Sequence, residues 1–135
     1  MTKKTHLAAG VLATAGAISL CGVHPNPYIF GIIGSIVPDW DRYLGMKHRG
    51  VSHSFVFAVG LGIMISMINM SFGIAFMFNY CLHIALDSFT LMGVPAGKPF
   101  FNDYYRAKLI KSGGAEDIFL FLVLLLLISK LLIRI

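Results

Sequence analysis

Apolar runs separated by short polar blocks organise this chain from end to end. Residues 7–23 are uncharged and rich in Ala, Gly and Leu, long enough at about 1.5 Å per residue to cross a hydrocarbon layer as a helix. His24-Pro25-Asn26-Pro27 ends that run as a turn. Residues 28–37 form a shorter apolar stretch closed by Pro38, which reads as a short crossing or a re-entrant helix. Gly31 and Gly34 would let it pack closely against the first span. Two further runs, 55–70 and 74–89, flank a reversal marked by Asn69, Ser71 and Gly73. The last run, 118–135, is almost wholly Leu, Ile, Val and Phe, with Lys130 and Arg134 placed to snorkel at its far end. The pattern predicts a single all-α domain over residues 1–135: an integral membrane helical bundle of four to five spans, the second short or re-entrant.

Composition supports that class. Of 135 residues, 57% are hydrophobic and 13% charged, where soluble domains carry roughly 25% charged residues; the mean hydropathy is +0.79. A net charge of +5 raises nucleic acid as a partner, but the basic residues sit in short clusters beside the apolar runs, so no nucleic acid is expected. Threading the runs alternately puts Lys3, Lys4, Arg42, Lys47, Arg49, Lys98, Arg106, Lys108 and Lys111 on one side, against Lys130 and Arg134 on the other. The positive-inside rule makes the first side cytoplasmic, giving a multi-pass protein of the inner membrane with its N-terminus inside and anionic lipid headgroups as neighbours. Lys3, Lys4 and the first run imitate a signal peptide with a lipoprotein-like box before Cys21, but Leu20 is bulky where a small residue is needed, and cleavage would discard His6. Cys21 and Cys81 both fall inside apolar runs and read as small hydrophobes rather than a disulfide or metal pair.

The same threading gathers the chemistry on that side. His6 opens the first run, Asp39 and Asp41 follow the second, His48 and His53 precede the third, His83 and Asp87 lie late in the fourth, and Glu116 precedes the fifth. Imidazoles and carboxylates near hydrocarbon cost several kcal/mol unless compensated, and a metal ion compensates them. His83 and Asp87 are four residues apart, on one helical face; by itself such a pair is as readily a buried hydrogen bond. A donor set of imidazole and carboxylate without thiolate favours zinc, manganese or iron. Eight candidates exceed one tetrahedral shell, which suggests one or two ions with supporting carboxylates. Arg49 suits a phosphoryl group through paired hydrogen bonds, and equally a cytoplasmic anchor.

Five blocks together resemble a known family, the YdjM-like predicted membrane-bound metal-dependent hydrolases. They are Thr5-His6; Pro38-Asp39-Trp40-Asp41; His48-Arg49-Gly50-Val51-Ser52-His53-Ser54; His83-Ile84-Ala85-Leu86-Asp87 with Thr90 and Gly93-Val94-Pro95; and the late Glu116 after a glycine turn. Ser52 replaces the family's threonine, and Leu82 stands where a small residue is usual. The resemblance implies a helical fold distantly similar to zinc-dependent phospholipase C and P1-type nucleases, and metal-dependent hydrolysis. The expected substrate is a phosphoester in a lipid or amphiphile reached from the cytoplasmic leaflet. On that reading His6, Asp39, His53, His83 and Asp87 are the leading ligands. Asp41 and His48 are ligands, orienters or catalytic groups, Glu116 is a late ligand or general base, and Arg49 steadies leaving charge. The aromatic and basic stretch 98–106 reads as an interfacial anchor or a gate for lipid. Rival classes are a metal-ion carrier or channel and a structural membrane protein with a metal site; the Leu-rich far half, which offers no charged route, argues against transport.

Overall fold

The computed structural model describes residues 1–22, 25–43, 45 and 49–134, with the backbone alone at 21, 27, 28, 30, 42 and 134. His24, Lys47 and His48 therefore lie outside the described residues. Helix α1 (Lys3–Cys21) begins where the Thr2 side chain accepts from the Thr5 N–H, and it ends at Gly22, whose φ of 61° brings its N–H to the Ile18 carbonyl. Helix α2 (Pro25–Gly31) is short and passes into 3-10 turns over Ile32–Ser35 and Val37–Arg42.

The short crossing or re-entrant helix expected over 28–37 is thus a short α-helix continued by 3-10 turns, and its close packing partner differs from the expected one. A Cβ on Gly31 would lie 2.4 Å from the Ala75 Cβ, and one on Gly34 2.3 Å from the Phe76 carbonyl oxygen. The small residues thus serve contact with the fourth helix rather than chiefly with the first. The 3-10 turns rise about 2.0 Å per residue against 1.5 Å for α-helix. From Pro25 to Asp39 the mixed segment covers at most about 26 Å, enough to retrace the roughly 24 Å from His6 to Cys21.

Helices α3 (Phe55–Ser66) and α4 (Met70–Ser88) form an antiparallel hairpin. Ser54 caps α3 by accepting from the Phe57 N–H, and Asn69 caps α4 by accepting from Phe72. Helix α5 (Ala115–Arg134) starts beside the start of α1 and packs along it. The architecture is all-α, and no strand forms among the described residues. Met70–Ser88 is the one described helix long and apolar enough to cross a membrane by length and composition; Phe55–Ser66 is apolar but shorter.

The interior is more polar than the exterior. Tyr80 and Ile84 are fully buried beside Ala58, Phe76 and Val94, yet Thr5, His6, Asp39, Asp41, His53, Asn79, His83, Asp87 and Asp117 are buried with them. Outside, Ile63, Met64, Ile68, Phe78, Phe119, Leu122, Leu126 and Ile133 are exposed. Between α4 and α5 the loop doubles back on itself, pairing Val94 with Tyr105 and Thr90 with Ile110. Gly93 makes that turn at a φ of +67°, where a Cβ would lie 2.5 Å from the Tyr105 carbonyl oxygen.

Candidate metal centre

Three elements deliver four donor residues to one buried region. The second 3-10 turn presents Asp39, the turn before α3 presents His53, and the last two turns of α4 present His83 and Asp87 on one face. Asp39 Oδ1 lies 3.7 Å from His53 Nε2, which is 3.8 Å from Asp87 Oδ2. His83 Nε2 closes the ring at 3.9 Å from both carboxylates. These separations are too long for direct hydrogen bonds. Donors arranged tetrahedrally about zinc stand about 3.3–3.6 Å apart, and the neighbouring donors of this ring come within a few tenths of an ångström of that spacing.

The surroundings orient those donors. His83 Nδ1 donates to the Ser35 carbonyl at 2.7 Å, which places the lone pair on Nε2, a buried atom with no hydrogen-bond partner among the described residues. His53 Nδ1 sits 3.1 Å from Ser52 Oγ and 3.5 Å from Asp41 Oδ2, turning Nε2 toward Asp39 and Asp87. Asp41 also accepts from the Arg49 backbone N–H at 3.1 Å and from Ser52 Oγ at 3.2 Å. It stands behind the His53 imidazole, the position of a carboxylate that fixes a ligand's tautomer, rather than in the ring.

His6 meets the other oxygen of Asp87. Its Nε2 is 3.1 Å from Asp87 Oδ1, its ring stacks on His83 with centroids 3.7 Å apart, and its Nδ1 is buried without a partner among the described residues. The Met1 amino group donates to the same Oδ1. His6–His83–Asp87 and Asp39–His53–His83 each bring their donor atoms within 4.8 Å of one another. His83 has one lone pair to give, so the two groups describe a single centre or the halves of a bridged pair, with Asp87 offering one oxygen to each half.

Arg49 is held from every side. At a φ of 58°, its Nη2 reaches Asp87 Oδ2 at 3.1 Å, and its Nη1 donates to Thr90 Oγ1 at 2.9 Å and the Gly93 carbonyl at 3.0 Å. Its Nε is buried without a hydrogen-bond partner among the described residues. Glu116 and His48 complete the set of site residues expected from the sequence. Glu116 is exposed on the first turn of α5 and belongs to neither donor group. Its neighbour Asp117 is the buried acid, accepting from the Thr2 N–H at 2.9 Å, Thr5 Oγ1 at 2.5 Å and the Gly113 N–H at 2.8 Å. Asp117 is the third residue of α5 and reaches back to the Gly113 N–H ahead of the helix, but the sequence does not set it apart from the adjacent Glu116. Expected as a ligand or catalytic group, His48 lies outside the described residues.

No curated protein and no solved structure matches this chain. The sequence model of the YdjM inner membrane protein family matches residues 1–134, and the chain belongs to that family.

Proposed function

We propose that the chain is a multi-pass metal-dependent hydrolase of the inner membrane that cleaves a phosphoester of a lipid or amphiphile at the cytoplasmic face. The observation that carries this reading is the ring of Asp39, His53, His83 and Asp87, buried and held by Ser35, Ser52 and Asp41. These residues fit a divalent cation, zinc first and manganese or iron next, because the ring offers two imidazoles and two carboxylates with no thiolate. Such an ion supplies Lewis acidity toward water and a phosphoryl oxygen. His6 occupies the other side of Asp87, where it holds Oδ1 or serves a second ion. Asp41 keeps His53 in the tautomer whose Nε2 is a donor to the cation, and the Arg49 Nε–H is the buried donor left for a phosphoryl oxygen.

Membrane residence rests on the family, on α4 as a candidate span and on an apolar exterior around a polar interior. The basic excess at the site's end supports the cytoplasmic assignment.

Elemental analysis of the detergent-purified chain, with phosphate release from a panel of phosphatidic acids and glycerophospholipids, tests the reading. Wild type is expected to carry one or two divalent ions and to turn over a phosphoester. His83→Ala should lose both while keeping its helical circular dichroism. Wild type that stays metal-free after reconstitution overturns the hydrolase, and ion flux into liposomes without turnover makes the chain a carrier.

A further inference from the structure

A second feature shares α4 with the cation centre but faces away from it. Ala85, Val94, Ala96, Phe55, Phe101 and Tyr105 line a cavity of about 520 Å³. Its wall on α4 continues through Ile84 and Ser88, residues adjacent in sequence to His83 and Asp87. The Ser88 and Tyr105 hydroxyls are the only side-chain polar groups among its lining residues. A sugar, nucleotide or peptide backbone would leave its polar groups unpaired there, whereas a hydrocarbon chain loses nothing.

The position of the cavity says where such a chain comes from. The wall belongs to the final turns of the candidate membrane span, where a helix leaves hydrocarbon for headgroups. The folded-back loop places exposed Phe100, Phe101, Tyr104 and Tyr105 at the same end, the aromatic composition of that level. Lys98 and Arg106 directly follow the lining residues Gly97 and Tyr105, and Lys108 is close behind; Asp103 is the only acid between residues 93 and 111. Basic side chains beside an apolar slot complement a negative headgroup joined to an acyl chain.

We propose that this cavity binds one acyl chain of an anionic phospholipid, with the headgroup phosphate against Lys98 and Arg106. Binding here does not depend on the cation centre or on hydrolysis. The full chain in phosphatidylcholine nanodiscs, doped with phosphatidylglycerol or phosphatidylcholine carrying a diazirine on the acyl chain, provides the test. Photolabelled peptides are mapped by mass spectrometry. The expected result is labelling of residues 93–106 and of the end of α4, stronger for the glycerol probe.

Ala85→Phe fills the slot and should abolish that labelling while labelling of the exposed α5 face persists. Lys98→Gln and Arg106→Gln should each reduce the preference for the anionic probe by about fivefold. Equal labelling by both probes overturns the proposal, as does Ala85→Phe labelling like wild type, or a cross-link to a second copy of the chain at this face. Circular dichroism and monodisperse elution verify each variant, and Ala85→Leu replaces Ala85→Phe if the larger side chain prevents folding.

Discussion

Asp87 and Asp41 show how much one carboxylate's position decides. Asp87 lies in the ring and is paired with the Arg49 guanidinium at 3.1 Å, both side chains buried. Asp87→Asn would leave that guanidinium buried without its counter-charge, a change that costs about 3–5 kcal/mol. Denaturant unfolding of the metal-free protein should show this loss, and Arg49→Met in the Asp87→Asn background should recover part of it; strictly additive effects would mean the pair is not coupled. Asp41 stands behind the ring, against His53 Nδ1, Ser52 and the Arg49 N–H. Asp41→Asn should therefore weaken zinc binding by about 10–100-fold without preventing it, as read by calorimetry in detergent. Complete loss would move Asp41 into the ring, and unchanged affinity would remove it from the site's support.

Among the elements, the broken α2 segment sets how closely the Asp39 turn approaches α4. A Cβ on Gly34 would lie 2.3 Å from the Phe76 carbonyl, a backbone atom that cannot swing aside, whereas a Cβ on Gly16 in α1 meets nothing within 4 Å. Gly34→Ala should destabilise the fold by about 1–3 kcal/mol, and Gly16→Ala should stabilise it by about 0.5–1 kcal/mol, both followed by thermal melting in detergent. Equal shifts would mean that the close approach carries no weight. Hydropathy made the apolar runs legible, and the spacing of His83 and Asp87 made their shared face legible, because both follow from local periodicity. The 3-10 turns and the choice of α4 as packing partner were not legible, since they depend on backbone contact between segments distant in sequence. The burial of Asp117 rather than Glu116 has the same origin. Two adjacent acids in one helical turn look alike in a sequence, and only the neighbouring start of α1, with Thr2 and Thr5, decides which is buried.

For the whole molecule, the convergence of the donors dictates the path of the chain. His6 at the start of α1 touches Asp87 at the end of α4, His53 precedes α3, Asp39 follows α2, and Asp117 at the start of α5 bonds Thr5. The chain therefore leaves this end along α1, returns through α2 and its 3-10 turns, repeats the excursion through α3 and α4, and leaves again along α5. That convergence was legible in the sequence because alternate threading of apolar runs fixes which polar blocks share an end, whatever the internal shape of each run. On the proposed membrane arrangement, five passes put the two termini on opposite faces. A fluorescent protein fused before Met1 should then mature in the cytoplasm, while alkaline phosphatase fused after Ile135 should be active outside it. The basic excess at the site's end sets the sign of this prediction, and the odd number of passes sets the opposition. A C-terminal fluorescent fusion that matures, with an inactive phosphatase fusion, would mean that one pass turns back within the membrane. The α2 segment would be the first suspect, because it is the only pass not built as a continuous helix.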